Sequence, residues 1–195
     1  EGRLGPVHAV FQIFEHINDN EEVIVSYCDY GTGWDYKEFL RDTRERNAVG
    51  AIACYRGFHP HMLGTDNYAF LKETKNGSRW LEQIQEKKPF TDNRMEEYAS
   101  NGTYYFKNGK IMKHYFKKLM DLGMKVKNEY YVSMVYNLLV KDKLKVNIFE
   151  IEFMLQWGTP YDLEIYQGWS NYFKNMNTKQ PKFIDRYDTT TILPL

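Results

Sequence analysis

Two short and almost uninterrupted apolar runs constrain the fold of this chain more than any other feature. Residues 22–28 read EVIVSYC and residues 49–55 read VGAIACY. A run of this length without polar alternation is typical of a strand that is buried on both faces of a sheet. The charged segment between them, residues 36–46, has the apolar spacing of an amphipathic helix. This order of strand, helix and strand predicts an α/β layer structure.

The rest of the chain continues the alternation. Asn76-Gly77 lies between two strand-like segments, 68–74 and 80–85, and is a strong hairpin signal. Further strands are predicted at 103–106 and 145–151, and helices at 7–16, 111–122, 129–140 and 159–173. We therefore expect a Rossmann-like α/β fold, with a mixed, mainly parallel sheet flanked by helices and one antiparallel hairpin.

Composition argues against several classes of function. Among 195 residues, 26 basic residues balance 26 acidic ones, so no net charge attracts the chain to nucleic acid or to an anionic membrane. The apolar runs are too short to span a bilayer, and no signal-peptide pattern opens the chain. Cys28 and Cys54 are expected to be buried, reduced thiols. We expect a cytoplasmic protein that binds neither nucleic acid nor a membrane.

Asp29 is the most informative single residue, because it directly follows the first apolar run. In open α/β sheets, ligands bind at the carboxyl ends of the strands. A carboxylate there can hold a hard cation such as Mg²⁺, which in turn binds phosphate oxygens. The pattern is equally typical of a turn aspartate that caps the glycine-containing loop behind it. Asp35, farther along, is expected to cap the next helix.

Three more clusters have the composition of a ligand site. In the EKKP run that begins at Glu86, the carboxylate can accept hydrogen bonds from sugar hydroxyls and Lys87 can neutralise a phosphate. Gly102, after Asn101, precedes a strand and would let a ligand approach the backbone closely. Glu129 opens a helix, where it binds hydroxyls or stabilises the helix dipole. Each cluster is also typical of solvated turns and strand ends, so none identifies a site alone.

Other chemistry is not indicated. His59 and His61 alternate as metal ligands can, but no third ligand is evident and a surface loop is the expected structure. Neither a G-x-S-x-G nucleophile motif nor a common glycine-rich phosphate loop occurs in the sequence. Tyrosines such as Tyr104 and Tyr131 belong to a neutral chain, so we expect them to pack in the core rather than to stack on bases.

The order of the motifs is more specific than any one of them. The sequence shows, in turn, LGPVHAV at 4–10, VIVSYCD at 23–29, EKKP at 86–89, NGTYYF at 101–106, NEYY at 128–131 and WGTP at 157–160. In this order the chain resembles the sugar-phosphate nucleotidyltransferases over residues 2–173, and most of all their capsule and lipopolysaccharide branch. The resemblance implies an incomplete nucleotidyltransferase fold and a role in cell-surface polysaccharide biosynthesis.

The resemblance also implies roles for individual residues. Asp29 matches the aspartate that binds catalytic Mg²⁺ and contacts the nucleotide, and Gly5 falls where the family approaches the nucleobase. The sugar phosphate is expected to contact the other matched positions, which are Glu86, Lys87, Asn101, Gly102 and Glu129. Where the family often has a second metal-binding aspartate, this chain has Gln156. An amide is a poor substitute for a carboxylate, so we expect weaker metal binding there.

The implied reaction joins a nucleoside triphosphate to a sugar phosphate. The sugar phosphate attacks the α-phosphorus in line and pyrophosphate leaves, a transfer that depends on positioning and charge neutralisation. The family supplies most of that charge from a glycine-rich loop with an arginine and a lysine, which these 195 residues lack. We therefore expect the chain alone to bind triphosphate poorly and to show no pyrophosphorylase activity.

Both ends are interpreted as cut from a longer protein. Residues 1–173 are predicted to form the sugar-binding, C-terminal portion of a nucleotidyltransferase domain, and 174–188 a linker. Residues 189–195, TTTILPL, resemble the family's first strand and are interpreted as the start of a following domain or as an ordinary tail. A half-sheet with an open edge predicts self-association into a homo-oligomer, or pairing with a partner strand.

Two other functions remain open from the residues alone. A nucleotide-sugar-dependent glycosyltransferase also ends a central strand with a metal-binding aspartate, but it usually has a second one two positions on, where this chain has Gly31. A non-catalytic sugar-phosphate or nucleotide-binding module would explain the missing triphosphate loop and Gln156. Binding of sugar phosphate alone, of a nucleotide sugar without turnover, or of neither would distinguish the three functions.

Overall fold

The structure, a computed structural model, describes residues 4–177. The strands in that range are β1 (Val23–Ser26), β2 (Tyr30–Gly33), β3 (Gly50–Tyr55), β4 (Ala69–Glu73), β5 (Leu81–Glu86), β6 (Tyr98–Phe106), β7 (Val146–Glu150) and β8 (Phe153–Gln156). The helices are α1 (Pro6–Phe11), α2 (Tyr36–Glu45), α3 (Gly109–Asp121), α4 (Val132–Lys141) and α5 (Pro160–Asn177). Short 3₁₀ turns lie at Phe14–His16, Pro60–Leu63 and Arg94–Glu96. The predicted alternation of strands and helices is confirmed.

Six of the described strands form one sheet, in the order β5-β4-β6-β3-β7 with β1 paired to β6. Strands β2 and β8 form a separate antiparallel ribbon. The predicted mixed α/β sheet is confirmed, and its hairpin is β4–β5. The sheet was expected to be mainly parallel, but most of its strand pairs are antiparallel. Among the described strands, only β3 and β7 pair in parallel. An apolar run indicates burial but not direction, and β6 runs antiparallel to β1, β3 and β4.

Strand β3 lies at the centre of the core, and all six of its residues are buried. Ile52 belongs to a hydrophobic cluster with residues of α3 and α4, whereas its neighbour Ala53 belongs to a second cluster with Phe39 of α2. Since successive strand residues point to opposite faces, the two clusters cover the two faces of the sheet. The prediction that β1 is buried on both faces is wrong. Its residues are partly exposed because β1 pairs with β6 alone among the described strands.

Local signals account for several element boundaries. The Asp35 carboxylate accepts hydrogen bonds from the backbone N–H groups of Lys37 and Glu38, at 2.8 and 3.1 Å, and so caps α2 as predicted. Gly123 follows α3 with a φ of 63°, a conformation in which glycine ends helices. The helix predicted from residue 129 begins later, at Val132, because a tight turn with positive φ precedes it.

The last helix is longer than predicted. It continues to Asn177, so the first residues of the predicted linker, 174–177, are helical. The remainder of that linker, 178–188, and the strand predicted at 189–195 lie outside the described residues.

The expectations about thiols and membranes have separate outcomes. Cys54 is buried as expected, whereas Cys28 is exposed, and both are free thiols. Within residues 4–177, no helix has both the length and the apolar character needed to cross a lipid bilayer.

Candidate functional site

A cavity of about 380 Å³ opens where β1, β5 and β8 end. Its lining comes from segments that are far apart in the sequence, including the residues before β4, the middle of β6 and the residue before α4. Five of the seven predicted site residues line it: Asp29, Glu86, Lys87, Asn101 and Gly102. The fold therefore brings three separate motifs, VIVSYCD, EKKP and NGTYYF, into one site.

A bulge in β6 forms one wall of this cavity. Ile52 of β3 pairs with Tyr104 of β6, and Cys54 pairs with Ser100. One residue of β3 therefore lies opposite three residues of β6, 101–103. Gly102 lies in the bulge with a φ of 95°, and a Cβ built on it would be 2.6 Å from the Tyr27 ring. Glycine is therefore required here both by the backbone conformation and by the lack of space. Such bulges are common beside active sites, where they redirect side chains.

Asn101 is fixed within the same bulge. Its side-chain amide donates to the Thr32 hydroxyl of β2 at 3.0 Å, and its side-chain oxygen accepts from the backbone N–H of Thr103 at 2.9 Å. The residue is only 1% exposed. The bond to Thr32 connects the β2–β8 ribbon to the main sheet, whereas the bond from Thr103 lies within β6. The two bonds leave one amide N–H of Asn101 for a ligand.

Glu86 and Lys87 both line the cavity although they are neighbours in the chain. In an unbroken strand, successive side chains point to opposite faces. Lys87 follows β5 with a φ of 58°, which breaks the alternation, and its backbone N–H donates to the Tyr68 carbonyl at 2.8 Å. The Ser133 hydroxyl of α4 donates to the Glu86 carboxylate at 2.6 Å. Burial raises the pKa of Glu86 above its usual range.

Tyr131 connects Lys87 to Glu129. Lys87 Nζ donates to the Tyr131 hydroxyl at 2.6 Å, and that hydroxyl donates to the Glu129 carboxylate at 2.5 Å. The same ammonium lies 4.6 Å from the centre of the Tyr131 ring. Glu129 itself is not among the residues that line the cavity. The structure therefore places this predicted hydroxyl-binding residue behind Tyr131.

Gly5 also lies outside the cavity lining. It has a φ of 90°, and a Cβ built on it would be 2.8 Å from both Glu129 Cβ and the backbone nitrogen of Tyr130. The neighbouring Leu4 carbonyl accepts from that Tyr130 N–H at 2.8 Å. Gly5 therefore allows the start of α1 to approach the segment that carries Glu129. Its predicted contact with a nucleobase stays a prediction.

Asp29 and Gln156 meet at one corner of the cavity. A Cβ built on Gly158 would lie 2.8 Å from Gln156 Nε2 and 3.0 Å from Asp29 Oδ2. The β2–β8 ribbon makes this meeting possible, because Gln156 pairs with Tyr30 directly after Asp29. Within the described part of the chain, no cluster of three or more His, Cys, Asp or Glu side chains could hold a metal. A cation at this corner would therefore find one carboxylate and one amide.

Five tyrosines line the cavity as well: Tyr27, Tyr30, Tyr68, Tyr104 and Tyr131. The sequence interpretation missed them as site residues, because an aromatic residue in a neutral chain does not indicate whether it lies in the core or in a site. Burial raises the pKa of Tyr27 and Tyr104, so both hydroxyls stay protonated. One signal was available, since Tyr27 and Tyr131 each lie two positions from a predicted site residue.

His59 and His61 lie behind the cavity wall. The predicted surface loop is confirmed, since the neighbouring Phe58 and Leu63 are exposed, but the two imidazoles themselves are buried or half-buried. His59 is 6% exposed, and its Nε2 accepts from the backbone N–H of Met154, a lining residue, at 3.3 Å. His61 Nε2 and the Tyr55 hydroxyl are hydrogen-bonded at 2.9 Å. Burial lowers the pKa of His61 to about 3 and also lowers that of His59. Both imidazoles are therefore neutral supports of the wall near pH 7.

Comparison with known proteins gives matches among solved structures. No model of a known protein family and no curated protein matches the sequence. The nucleoside-diphosphate-sugar pyrophosphorylase of Vibrio cholerae RC9 has a TM-score of 0.67 at 18% identity, over 85% of this chain and 66% of that chain. A UDP-glucose pyrophosphorylase solved with UDP-glucose has a TM-score of 0.67 at 13% identity, over 90% and 64%. The inositol-1-phosphate CTP transferase of T. maritima has a TM-score of 0.59 at 13% identity, over 85% and 61%.

These likenesses establish the fold. The chain has the α/β fold of nucleotide-sugar pyrophosphorylases and related nucleotidyltransferases, which confirms the predicted fold class. It spans about two thirds or less of the length of each solved chain, from 61 to 66%.

Proposed function

We propose that this chain belongs to the sugar-phosphate nucleotidyltransferases and forms the part of such an enzyme that binds the sugar phosphate. The enzyme transfers a nucleoside monophosphate from a triphosphate to the sugar phosphate and releases pyrophosphate. One observation carries the proposal: Asp29, Glu86 and Lys87, from separate motifs, line one cavity in a chain with the nucleotidyltransferase fold.

The groups in the cavity suit a ligand that has both phosphate and hydroxyl groups. The Lys87 ammonium can form charge-assisted hydrogen bonds to phosphate oxygens. The Glu86 carboxylate, held by Ser133, can accept from sugar hydroxyls. Transfer between two phosphates requires positioning and charge neutralisation rather than a protein nucleophile. No Cys or His is among the residues that line the cavity, and the hydroxyl of the one Ser there, Ser100, donates to Tyr104 at 3.0 Å rather than to a base, which is consistent with that chemistry.

Asp29 and Gln156 fit a magnesium ion that is held jointly with a ligand. Mg²⁺ is usually bound by one or two carboxylates together with substrate phosphates and water. Asp29 provides one carboxylate at the cavity, and Gln156, whose Nε2 lies at this corner, can provide its amide oxygen as a neutral ligand after the amide group turns over. Such an ion would neutralise charge on the phosphates. With a single carboxylate, the protein alone is expected to hold Mg²⁺ weakly.

Calorimetric titration of the 195-residue chain tests the proposal. The ligands are a panel of hexose 1-phosphates and the nucleoside triphosphates, each with and without Mg²⁺. We expect a sugar phosphate to bind, and triphosphates to bind more weakly without release of pyrophosphate, because these residues lack the basic glycine-rich loop. Lys87→Met should remove sugar-phosphate binding. A folded chain that binds no sugar phosphate from the panel would contradict the proposal.

A non-catalytic binding module is the second candidate, and Gln156 is the observation that favours it. Without a second carboxylate beside Asp29, a module would bind its ligand equally well with and without Mg²⁺. A glycosyltransferase would instead bind a nucleotide sugar, but Gly31 of β2 stands where its second aspartate usually lies. The same titrations, extended to nucleotide sugars, distinguish the three functions.

The cellular setting is a further part of the proposal. We place the enzyme in the cytoplasm, and the resemblance in motif order places it in the synthesis of activated sugars for capsule or lipopolysaccharide. Deletion of the gene should remove one sugar from the surface polysaccharide, and an unchanged sugar composition would contradict this role. The predicted homo-oligomer is testable by sedimentation velocity, since β1 has one side without a strand partner among the described residues.

A further inference from the structure

We infer that Tyr131 is a positioning residue, which holds the Lys87 ammonium in place for the phosphate of the ligand while Glu129 fixes the Tyr131 hydroxyl. The inference rests on the proposed function for the identity of the ligand. The arrangement of the three residues does not depend on that identity.

The direction of the two hydrogen bonds follows from the chemistry of the groups. An ammonium can only donate, so the Tyr131 oxygen accepts from Lys87 Nζ, at 2.6 Å. The Tyr131 proton is then free to go to the Glu129 carboxylate, at 2.5 Å. Burial and the Glu129 charge both raise the pKa of Tyr131, which keeps this proton on the hydroxyl. Lys87 and Glu129 are therefore connected through one fixed hydroxyl.

Lys87 needs such a support because its own stem is flexible. A lysine has four rotatable side-chain bonds, and its compact ammonium can turn toward any nearby acceptor. Glu86, the preceding residue, lines the same cavity and carries a carboxylate. Tyr131 opposes a pairing of Lys87 with Glu86 in two ways. Its hydroxyl accepts one N–H, and its ring face lies 4.6 Å from the ammonium.

The position of Glu129 explains why the carboxylate does not compete with a phosphate. It reaches Lys87 through Tyr131 and is not among the residues that line the cavity. Tyr131 is the only described hydrogen-bond partner of Lys87 Nζ, so the other two N–H groups stay available to a ligand. The role of Glu129 is therefore indirect, through Tyr131, rather than direct contact with sugar hydroxyls.

Tyr131→Phe is the sharpest test, because it removes the hydroxyl and keeps the ring. A lost hydrogen bond to a charged group corresponds to about tenfold or more in affinity. We expect that loss for glucose 1-phosphate and for inorganic phosphate, and no change for glucose. Glu129→Gln should give a smaller loss with the same selectivity. The matched control is Tyr130→Phe, because among the described residues the Tyr130 hydroxyl donates only to the Met120 carbonyl, at 3.4 Å.

A second readout does not depend on any ligand. Brief treatment with acetic anhydride, followed by peptide mass spectrometry, measures how fast Lys87 is acetylated. Tyr131→Phe should increase this rate severalfold relative to Lys88, the exposed neighbour that serves as internal reference. Tyr130→Phe should leave the ratio unchanged. Circular dichroism of each variant shows that the fold is retained.

The two readouts separate the possible failures. If the unmodified chain binds no phosphorylated ligand, the proposed function fails, and the acetylation ratio still decides the role of Tyr131. An unchanged ratio in folded Tyr131→Phe would overturn the inference. So would equal losses of affinity for glucose and for its phosphate, because a merely structural role of Tyr131 would affect both ligands. Should Tyr131→Phe fail to fold, Glu129→Gln provides the same two measurements.

Discussion

At the scale of single residues, two glycines with left-handed backbone differ in what surrounds them. Gly102 has a φ of 95°, and a Cβ there would be 2.6 Å from the Tyr27 ring. Gly77, in the β4–β5 hairpin, has a φ of 75° and open space around its Cβ position. The comparison therefore separates the cost of the backbone conformation from the cost of the contact.

We expect Gly77→Ala to lower the free energy of unfolding by about 1–2 kcal/mol, the cost of left-handed backbone for a residue with a Cβ. For Gly102→Ala the crowded Tyr27 ring adds roughly 1–3 kcal/mol, as overpacking does elsewhere. Urea unfolding followed by circular dichroism measures both values. Equal losses would mean that Tyr27 moves aside at no cost and that the cavity wall is not packed as described.

The corner formed by Asp29 and Gln156 leads to a gain-of-function prediction. Gln156→Glu replaces the amide by a carboxylate of the same shape, beside Asp29. Because affinity for hard cations rises with the number of charged ligands, we expect Mg²⁺ to bind about tenfold more tightly in the presence of a sugar phosphate. Calorimetric titration with Mg²⁺ measures the change. Asp29→Asn should cancel the gain, and a gain that survives it would show that the two residues do not share an ion.

At the scale of elements, the sequence predicted the strands and turns that are determined by neighbouring residues. Strand β3 is apolar throughout and buried on both faces, and the Asn76-Gly77 turn connects β4 to β5 as expected. The ribbon of β2 and β8 was not predicted, because YGTG contains two glycines and no apolar alternation. Its formation depends on a partner more than 120 residues away, Gln156 opposite Tyr30. That distant pairing also places Gln156 beside Asp29.

The residues of the candidate site also divide into those that the sequence identified and those that it did not. Charged and glycine motifs identified five of the residues that line the cavity, because such residues have few structural reasons to occur together. The five tyrosines could not be identified, since a tyrosine is equally typical of the hydrophobic core. Glu129 was identified, but its place behind Tyr131 depends on a side-chain contact that no sequence pattern reveals.

The 3₁₀ turn Pro60–Leu63 carries a pH-sensitive element of the wall. The pKa of His61 is about 3 in the folded chain, below the value of about 6.5 expected when unfolded. Between these values the unfolded state binds the extra proton, so stability falls as the pH falls from about 6.5, by at most about 1.4 kcal/mol per pH unit. The raised pKa of Glu86 acts in the opposite direction and offsets part of this loss.

His61→Phe isolates this contribution, because the ring is kept and the titration is removed. We expect the variant to show a smaller decrease of unfolding free energy between pH 6.5 and pH 4, measured by urea unfolding at each pH. Above pH 7 the two proteins should show parallel profiles. Identical slopes in the acid range would contradict the burial of a neutral His61 beneath the cavity.

At the scale of the whole molecule, the cavity depends on the complete described fold. Asp29 follows β1, Glu86 ends β5, Gly102 lies within β6 and Gln156 ends β8. No single hairpin or helix contains the site, so the unfolded chain cannot bind a ligand through the same contacts. Binding to the folded state alone must then stabilise the fold as a whole.

This coupling predicts a thermal shift of defined size. A sugar phosphate at one hundred times its Kd should stabilise the chain by about 2.7 kcal/mol, which for this length raises the Tm by roughly 5–11 °C. Differential scanning calorimetry measures the shift, which Lys87→Met should remove and Tyr130→Phe should retain. Hydrogen exchange gives the complementary result, because protection should increase in β1, β5, β6 and β8 together. Protection confined to one of these strands would mean that the ligand binds a local surface, and the cavity would then not be the site.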